Sequence, residues 1–386
     1  MKIYKIGELC SFSKGASIPR DRMLQSGAIN YLHYGDLYKG HNLYINIEDQ
    51  ETPIPFISSF EKVKDSQYAK DGDIIYVLTS ETVEDLGKAL LLQNPNHRIV
   101  VAGTETTIMH IDKKDIIEPA YLNYLLQTKC FKKILQQYTT GMKVFRVHPR
   151  DISRIEINVP NIEKQRAIIK ILDQIHFKIR INNRINDYLL DLATALFEHA
   201  LEESRTEVLL GDIVELEDAK RIPLNSRDRA RRKGSYPYYG ATAIMDYVND
   251  YLFDEIRILL GEDGTVISDD GKPILQYVWG KYWVNNHAHI LKASSSYSLE
   301  TIYVALSRTA INHIVTGAVQ MKISQRNLKS LRLTMPEPDT ISDLSTLFEM
   351  YRQNVDENKE LERLRNSLLP KLMSGEIGVS KIDLSS

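Results

Sequence analysis

Two stretches decide how this sequence is organised: Gly141–Pro160 (GMKVFRVHPRDISRIEINVP) and Gly317–Pro336 (GAVQMKISQRNLKSLRLTMP). They align without a gap at an offset of 317 − 141 = 176 residues, which places glycine on glycine and proline on proline. Apolar and polar residues alternate just before each proline, which predicts a short strand that the proline ends. Chance similarity between two α/β segments is the alternative, but a gapless match of this length favours an internal duplication.

The same offset continues into two long segments with helical periodicity. Apolar residues there recur every three or four positions, which forms one apolar stripe along a helix. The matched apolar positions are Leu172, Ile175, Ile179, Ile185, Leu192 and Leu196, followed by Phe348, Tyr351, Val355, Leu361, Leu368 and Leu372. A helix of ~35–40 residues spans on the order of 50–60 Å, so both helices are predicted to act as spacers.

Asn182 and Asn358 interrupt this stripe at matched steps. An asparagine buried in a helical seam costs stability but fixes register and orientation. We therefore hypothesise that the two residues meet across an antiparallel helix pair. The alternative that both amides face solvent stays open.

The order of the chain is domain, helix, domain, helix. The domain starts also match, because Ile6-Gly7-Glu8-Leu9 resembles Leu210-Gly211-Asp212-Ile213 at an offset of 210 − 6 = 204. Each domain mixes strand-like runs with a helical stretch, at 121–138 in the first and 299–315 in the second, so the fold class is α+β (mixed α/β). The predicted boundaries are 1–160 and 205–336 for the domains, 161–204 and 337–377 for the helices, and 378–386 for a C-terminal tail.

Basic, aromatic and amide side chains concentrate in loops and after the matched glycines. Lys and Arg bind phosphates, while Arg, Asn and Gln can read base edges through paired hydrogen bonds. The candidate DNA-binding residues of the first domain are Lys14, Ser17, Arg20, Arg22, His33, Tyr34, Lys39, Lys143 and Arg146. Those of the second domain are Lys220, Arg221, Arg227, Arg231, Tyr238, Tyr239, Gln320 and Lys322. A solvated face for the arginine cluster, a surface strand for Lys143 and Arg146, and a structural role for His33 remain alternatives.

Several classes of function are disfavoured by what the sequence lacks. There is no G-x-x-x-x-G-K-[ST] phosphate loop, no G-x-G-x-x-G cofactor loop and no HExxH, CxxC or GxSxG motif, so we expect neither catalysis nor a metal site. The acidic pairs Glu262-Asp263 and Asp269-Asp270 lie among glycines and are predicted to form turns. The net charge is −2, and the two cysteines lie far apart in the sequence. The sequence shows neither an apolar leader nor an apolar run long enough to span a membrane. These features predict a soluble cytoplasmic protein.

The layout resembles the specificity (S) subunit of type I restriction–modification systems over essentially the whole chain. The resemblance is carried by IGELCSFSKG and LGDIVELEDAKRIP at the domain starts, by the two matched stretches with the following NIEKQRAI, and by LLPKLMSGEI near the end. One departure is MPEPDTISDL, which lacks the EKQ of Glu163-Lys164-Gln165. The start of the second helix therefore lacks the signature that marks the start of the first.

The resemblance implies two target recognition domains, each reading one half of an asymmetric bipartite DNA site. The half-sites would lie about one duplex turn apart, on the order of 34 Å. It also implies that two modification (methyltransferase) subunits dock on the helices, and that restriction (helicase–nuclease) subunits join through them. S-adenosylmethionine, ATP and Mg²⁺ are then expected on those partners, with no cofactor on this chain. A stand-alone DNA-binding regulator and a coiled-coil scaffold without DNA are the alternatives.

Overall fold

A computed structural model describes residues 1–49, 52–83, 85–317, 320–338 and 344–378. The chain divides into two compact units, of which unit 1 contains Met1–Ile179 and the chain from Asn358, and unit 2 contains Arg180–Glu357. Residues 339–343, at the predicted start of the second helix, lie outside the described residues, as does the predicted tail beyond residue 378. None of the helices in the described part combines the length and the apolar character that a membrane span requires.

Unit 1 is built on two main sheets, and its buried apolar side chains form three clusters. The larger sheet has the order Cys10–Lys14, Thr106–Ile111, Ile74–Val77, Lys88–Gln93 and Tyr44–Asn46, and the smaller has the order Phe56–Ile57, Ile29–Leu32, Ile99–Ala102 and Tyr68–Ala69. Two short pairs complete it, Lys2–Lys5 with Glu156–Val159 and Thr79–Ser80 with Phe145–Arg146. Its short helices are Ile6–Leu9, Pro119–Gln127, Lys129–Gln136 and Pro149–Ile152.

Unit 2 has the same kind of architecture. One sheet has the order Val214–Leu216, Ala288–Ala293, Arg257–Gly261 and Leu275–Val278, and the other has the order Ile244–Val248, Lys233–Tyr239, Lys281–Val284 and Phe253–Asp254. Thr206–Leu209 pairs separately with Arg332–Met335. The short helices are Leu210–Ile213, Ser226–Arg231, Leu299–Arg308 and Gln325–Lys329.

Two long helices follow the domains. Long helix 1 is Ile162–Glu203, with 42 residues, and long helix 2 is Leu344–Ser374, with 31 residues. In unit 1, Ile168 and Leu172 near the start of long helix 1 share a core with Leu369 and Leu372 near the end of long helix 2. In unit 2 the relation is reversed, because residues 193 and 197 near the end of long helix 1 pack with residues 344 and 348.

The helices run antiparallel, as hydrogen bonds within unit 2 also show. Asn182 donates to Glu357 at 2.7 Å, and Asn354 donates to Asn186 at 2.9 Å, so residue numbers rise along one helix as they fall along the other. The predicted α+β class with two antiparallel coiled-coil helices is therefore confirmed.

The internal repeat is confirmed residue by residue at the joint between domain and helix. Lys2 pairs with Val159 in unit 1, and Thr206 pairs with Met335 in unit 2, which are the matched positions at offsets of 206 − 2 = 204 and 335 − 159 = 176. The next contact is also duplicated, since the Ile6 amide donates to the carbonyl of Ile155 (3.0 Å) and the Leu210 amide to that of Leu331 (2.8 Å).

Three details of the predicted helices were wrong. The helical stretch predicted at 299–315 ends as an α-helix at Arg308. The helical stretch at 121–138 is two helices, because Thr128 is extended and caps the second one by accepting a hydrogen bond from the Phe131 amide at 3.1 Å. Ile185 and Leu192 were predicted in the buried stripe, but both are exposed. The buried seam instead continues through Asn182, Asn186 and Leu189, so long helix 1 carries a second apolar face beside the first.

Candidate nucleic-acid interface

A tight hairpin lies near the end of each domain, at the matched glycines. Hairpin 1 is Thr140–Arg146, whose end residues exchange backbone hydrogen bonds of 2.9 Å in both directions. Gly141 has φ +105°, and a Cβ added there would lie 2.0 Å from the Val144 carbonyl oxygen, so the turn requires glycine. The pairing of Phe145–Arg146 with Thr79–Ser80 then attaches the hairpin to the rest of unit 1.

Hairpin 2, Thr316–Lys322, repeats this frame in unit 2. Its end residues exchange backbone hydrogen bonds of 2.8 and 2.7 Å, and Gly317 has φ +90°. The threonine hydroxyl donates to the carbonyl of the last residue in both hairpins, at 3.2 Å to Arg146 and 3.0 Å to Lys322. Both hairpins therefore have the same fixed base, and hairpin 1 holds a short tip on it. Residues 318 and 319 of hairpin 2 lie outside the described residues.

Hairpin 1 forms a wall of two neighbouring clefts in unit 1. The basic cleft, of about 310 Å³, is lined by Lys14, Ser17 and Arg146 together with Thr104, Glu105 and Thr107. The aromatic cleft, of about 480 Å³, is lined by Tyr34, Tyr38 and Arg146 together with Glu81, Asp85 and Glu105. Three predicted DNA-binding residues from the first part of the chain, Lys14, Ser17 and Tyr34, thus line the same two clefts as Arg146.

The clefts differ in the chemistry that they offer. Lys14 and Arg146 are exposed, and no hydrogen bond or ion pair within the described ranges engages the Arg146 guanidinium, so it is available for a phosphate or a guanine edge. Glu105 is held at φ +58°, a conformation uncommon outside glycine, in the turn between two strands. In the aromatic cleft, burial and the neighbouring Asp85 raise the pKa of Tyr38 to about 12. Its hydroxyl donates to the Asp85 carbonyl at 3.1 Å, so Tyr38 offers the cleft mainly its ring.

Unit 2 presents its basic residues on a short helix, Ser226–Arg231. Arg227 and Arg231 are exposed and, among the described residues, no hydrogen bond or ion pair engages either side chain. Arg229 is held differently: it donates to the Leu224 carbonyl at 2.7 Å and lies over the Tyr238 ring. Of these three arginines, Arg227 and Arg231 are thus open to solvent, whereas Arg229 makes contacts within the fold.

Arg221 is a correction to the predicted DNA-binding set. Its side chain is only 13% exposed, and it donates to Glu262 at 2.6 Å and to the Ala288 carbonyl at 2.7 Å. Glu262 was predicted in a plain turn, but its carboxylate belongs to this buried network. Lys220 is exposed yet paired with Glu217 at 2.6 Å.

Asp218, Glu262 and His289 bring their ligand-type atoms within 4.8 Å of one another, which resembles a metal site. Cationic and amide donors already occupy these groups, since Asp218 accepts from Gln325 and from the ring of His289, each at 2.6 Å. Burial alone would raise the pKa of Asp218, but His289, the Ile290 amide and the charge of Arg221 together hold it below its usual value. The cluster is a buried ion-pair network, and we assign it no metal.

Tyr238 is a second correction. Only 1% of the residue is exposed, and its hydroxyl accepts from the Leu224 amide at 2.9 Å, so it supports the fold. Tyr239 is half-buried against Tyr282. His33 is buried and its Nδ1 accepts from the Gly35 amide at 3.1 Å, which matches the structural role that the sequence left open. Burial and Arg20 lower the pKa of His33, so the ring stays neutral.

The remaining predicted residues lie on the surface. Arg20 pairs with Asp36 at 3.4 Å, and Arg22 pairs with Glu61 at 3.5 Å. Lys322 lies 3.4 Å from Glu262, at the base of hairpin 2. The others are exposed: Lys39, Lys143 and Gln320. Asn182 and Asn358 are both buried, but they fall in different units, and their pairing stays a prediction.

Sequence reasoning missed residues that act only through tertiary contacts. Glu105 lines both clefts, but no motif marks it, because its position depends on the turn between two strands. Gln165 was noted in the EKQ signature without a role. Its amide clamps the joint, accepting from the Glu118 amide and donating to the carbonyls of Ile116 and Pro160, all at 2.8 Å.

Comparison with known proteins gives a consistent result. The model of the family "Type I restriction modification DNA specificity domain" matches twice, at residues 1–190 and 203–363. The type I restriction enzyme MjaIX specificity subunit of Methanocaldococcus jannaschii is 23% identical over 99% of this chain and 94% of that protein. A putative specificity subunit of Haemophilus influenzae, S.HindORF215P, is 28% identical over 36% of this chain, and the alignment spans only 35% of that relative.

Among solved structures, the S subunit of a type I restriction–modification system from M. genitalium has a TM-score of 0.59 at 16% identity. The alignment covers 96% of each chain. At this identity the likeness shows the fold, and it extends over both domains and both long helices.

Proposed function

The chain belongs to the type I restriction–modification specificity family, and from that premise we propose that each of its two domains reads one half of an asymmetric, bipartite DNA site. The observation that carries this proposal is the duplicated joint, where the strand pairing and the base of the hairpin recur at matched positions. Two copies of one frame with different surface residues suit two half-sites of different sequence. The chain supplies recognition, and the chemistry belongs to the partner subunits.

The DNA contacts of the proposal are the exposed predicted residues that form no ion pair with another described residue and lie around the clefts, on the hairpins or on the helix Ser226–Arg231. In unit 1 they are Lys14, Ser17, Tyr34, Lys143 and Arg146, around the two clefts and hairpin 1. In unit 2 they are Arg227, Arg231 and Gln320. Arg221 and Tyr238 are left out, because internal hydrogen bonds and burial occupy them.

We assign the second apolar face of long helix 1 to a docked modification subunit. Ile181, Ile185, Tyr188 and Leu192 follow one another at steps of three and four, and each is at least 38% exposed. An exposed apolar row of this kind marks a surface that another protein covers. We propose that two modification subunits dock on the long helices and that restriction subunits join through them.

A charge on this face tests the docking. Tyr188→Glu combined with Ile185→Glu should abolish co-purification with the modification subunit, because an interface core does not accommodate unpaired carboxylates. Asp187→Lys is the matched control, since it changes charge at an exposed position on another side of the same helix. Circular dichroism checks that helix content is kept in all variants. Normal assembly of the double variant would contradict the docking site.

The cofactors follow the same division of labour in this proposal. S-adenosylmethionine, ATP and Mg²⁺ bind the modification and restriction subunits in the cytoplasm, and this chain binds none of them. Methylation-aware sequencing of host DNA, with and without this gene, tests the function directly. Loss of adenine methylation at one bipartite sequence is the expected result, whereas an unchanged methylation pattern would contradict it. A stand-alone regulator would instead bind its site tightly without partners.

Modular recognition has its own test. Exchanging residues from about 207 to 335 for those of a relative should change one half of the methylated sequence and leave the other half as it was. Each half-site would thereby be assigned to one domain. A change in both halves, or in neither, would contradict modular recognition.

A further inference from the structure

Hairpin 1 holds an apolar side chain out in solvent. Met142, at its tip, is 94% exposed, although burying a methionine side chain stabilises a protein by about 1.5–3 kcal/mol. The frame beneath it is fixed by the Gly141 turn, by the hydrogen bonds between Thr140 and Arg146, and by Phe145, which packs against the core of unit 1. The exposure of Met142 is therefore a property of an ordered hairpin.

The surroundings of the tip are those of a nucleic-acid contact. Lys143 is exposed beside Met142, and Arg146 lies at the base of the same hairpin on the wall of both clefts. Cations beside the tip and at its base suit a groove of DNA, because lysine and arginine side chains bind the phosphates that border it.

Comparison of the two hairpins shows that the frame is kept while the sequence of the tip differs. Thr140, Gly141 and Arg146 correspond to Thr316, Gly317 and Lys322, and the frame hydrogen bonds recur with them. The tip residues differ: the sequence is Met-Lys-Val at 142–144 and Ala-Val-Gln at 318–320. Kept frames with different tips fit elements that recognise different bases.

We infer that Met142 is a specificity-determining residue that contacts the C5-methyl group of a thymine in the major groove. In the major groove this methyl is the apolar group by which thymine differs from the other bases, and an aliphatic side chain packs against it. The inference rests on the proposed function, since it assumes that unit 1 reads a half-site.

Separation of stacked bases by Met142 is the competing mechanism. A wedge must be braced from behind, and a side chain that is 94% exposed has no such support. Methionine is also unbranched and flexible, so it adapts to a base edge more readily than it forces two bases apart. The geometry therefore favours contact with a methyl group over insertion.

Deoxyuridine, which pairs as thymine does but lacks the methyl, provides the test. The complete complex with its modification subunits is titrated with duplexes carrying the methylated sequence, in which each thymine of the half-site assigned to unit 1 is replaced in turn. We expect one position at which the Kd rises about fourfold, the ratio that loss of one methyl contact produces. Met142→Ala should raise the Kd of the unmodified duplex by a similar factor and be insensitive to deoxyuridine at that position.

Two control variants separate this role from a general loss of affinity. Met142→Leu keeps an aliphatic side chain and should stay sensitive to deoxyuridine, whereas Lys143→Ala should weaken all duplexes by the same factor. Additive effects of Met142→Ala and deoxyuridine at every position would overturn the inference, as would a half-site without any A·T pair. If the wild-type complex shows no sequence preference at all, the proposed function itself fails, and this result is distinct from the other two.

Discussion

Asp173 shows how one side chain of a long helix fixes a domain. Its Oδ1 accepts hydrogen bonds from Tyr124, at 2.7 Å, and from Tyr44. Burial raises the pKa of the Asp173 carboxyl above its ordinary value, against the opposing effect of the two tyrosine hydrogen bonds. The stability linked to this group is therefore fully present below the unfolded pKa and is lost as the pH rises through the folded pKa.

Two substitutions at Asp173 are predicted to differ. Asp173→Asn keeps an acceptor oxygen for both hydroxyls and removes the buried charge, so the free energy of unfolding at pH 7 should be equal or higher and should lose this pH dependence. Asp173→Ala leaves two tyrosine hydroxyls without this acceptor and should cost about 2 kcal/mol. Urea unfolding at several pH values measures both. An asparagine variant as unstable as the alanine variant would contradict the role assigned to the charge.

Arg227 and Arg231 are predicted to bind phosphates. The double substitution to Ala should weaken binding of all DNA sequences and reduce the slope of log K against log [salt] by about 0.9 for each lost contact. Arg229→Ala is the matched control: it removes an internal hydrogen bond and a ring contact, so it should lower thermal stability first. DNA titrations at several salt concentrations measure this slope. An unchanged slope in the double variant would rule out phosphate contacts by these two arginines.

At the scale of elements, the asparagines of the long helices are predicted to lower the stability of the protein while fixing the register of the two helices. Replacing both Asn182 and Asn358 with Leu buries two apolar side chains and loses amide hydrogen bonds, including that from Asn182 to Glu357. Apolar burial exceeds a net hydrogen bond, so the double variant should gain on the order of 1 kcal/mol and loosen the helix register. Thermal unfolding and disulfide trapping of shifted registers measure the two effects. A double variant less stable than wild type would contradict the hypothesis.

The long helices also show what sequence periodicity can and cannot reveal. The steps of three and four predicted both helices and the matched asparagines, because buried faces repeat with the helical period. The same periodicity could not assign Ile185 and Leu192, since two apolar faces about 100° apart both satisfy it. Thr128 was missed because an N-cap residue inside an apolar run is distinguished by its backbone conformation, which the sequence does not display.

The candidate site was less predictable than the fold. Arg221 and Arg227 belong to the same basic region, yet one is buried in an ion-pair network and the other is exposed. The difference depends on Glu262, 41 residues after Arg221, and no local pattern links the two. Charge clusters therefore indicated where candidate DNA-binding residues are concentrated but not which of their side chains are available to make a contact.

Across the whole molecule, the two units share the same hairpin frame but carry their exposed basic side chains at different positions. Arg146, at the base of hairpin 1, has an exposed guanidinium, whereas its counterpart Lys322 lies 3.4 Å from Glu262. Unit 2 instead presents Arg227 and Arg231 on a helix, Ser226–Arg231, that unit 1 does not have among its described elements. The two domains thus share a joint and differ in the surface offered to DNA, as recognition of an asymmetric site requires.

The spacing between the two half-sites is predicted to depend on the long helices. Removing two heptads from each helix at matched positions preserves the heptad phase and shortens each helix by about 21 Å, because the rise is 1.5 Å per residue. That length corresponds to roughly 6 base pairs, so the gap in the methylated sequence should shorten while the bases of both half-sites stay the same. Methylation-aware sequencing reads the gap and the bases in one experiment.

A matched insertion of two heptads into each helix is the second variant, in case the deletion fails to fold, and it should lengthen the gap by the same amount. Unchanged spacing in an active variant would refute the role of the helices as a ruler.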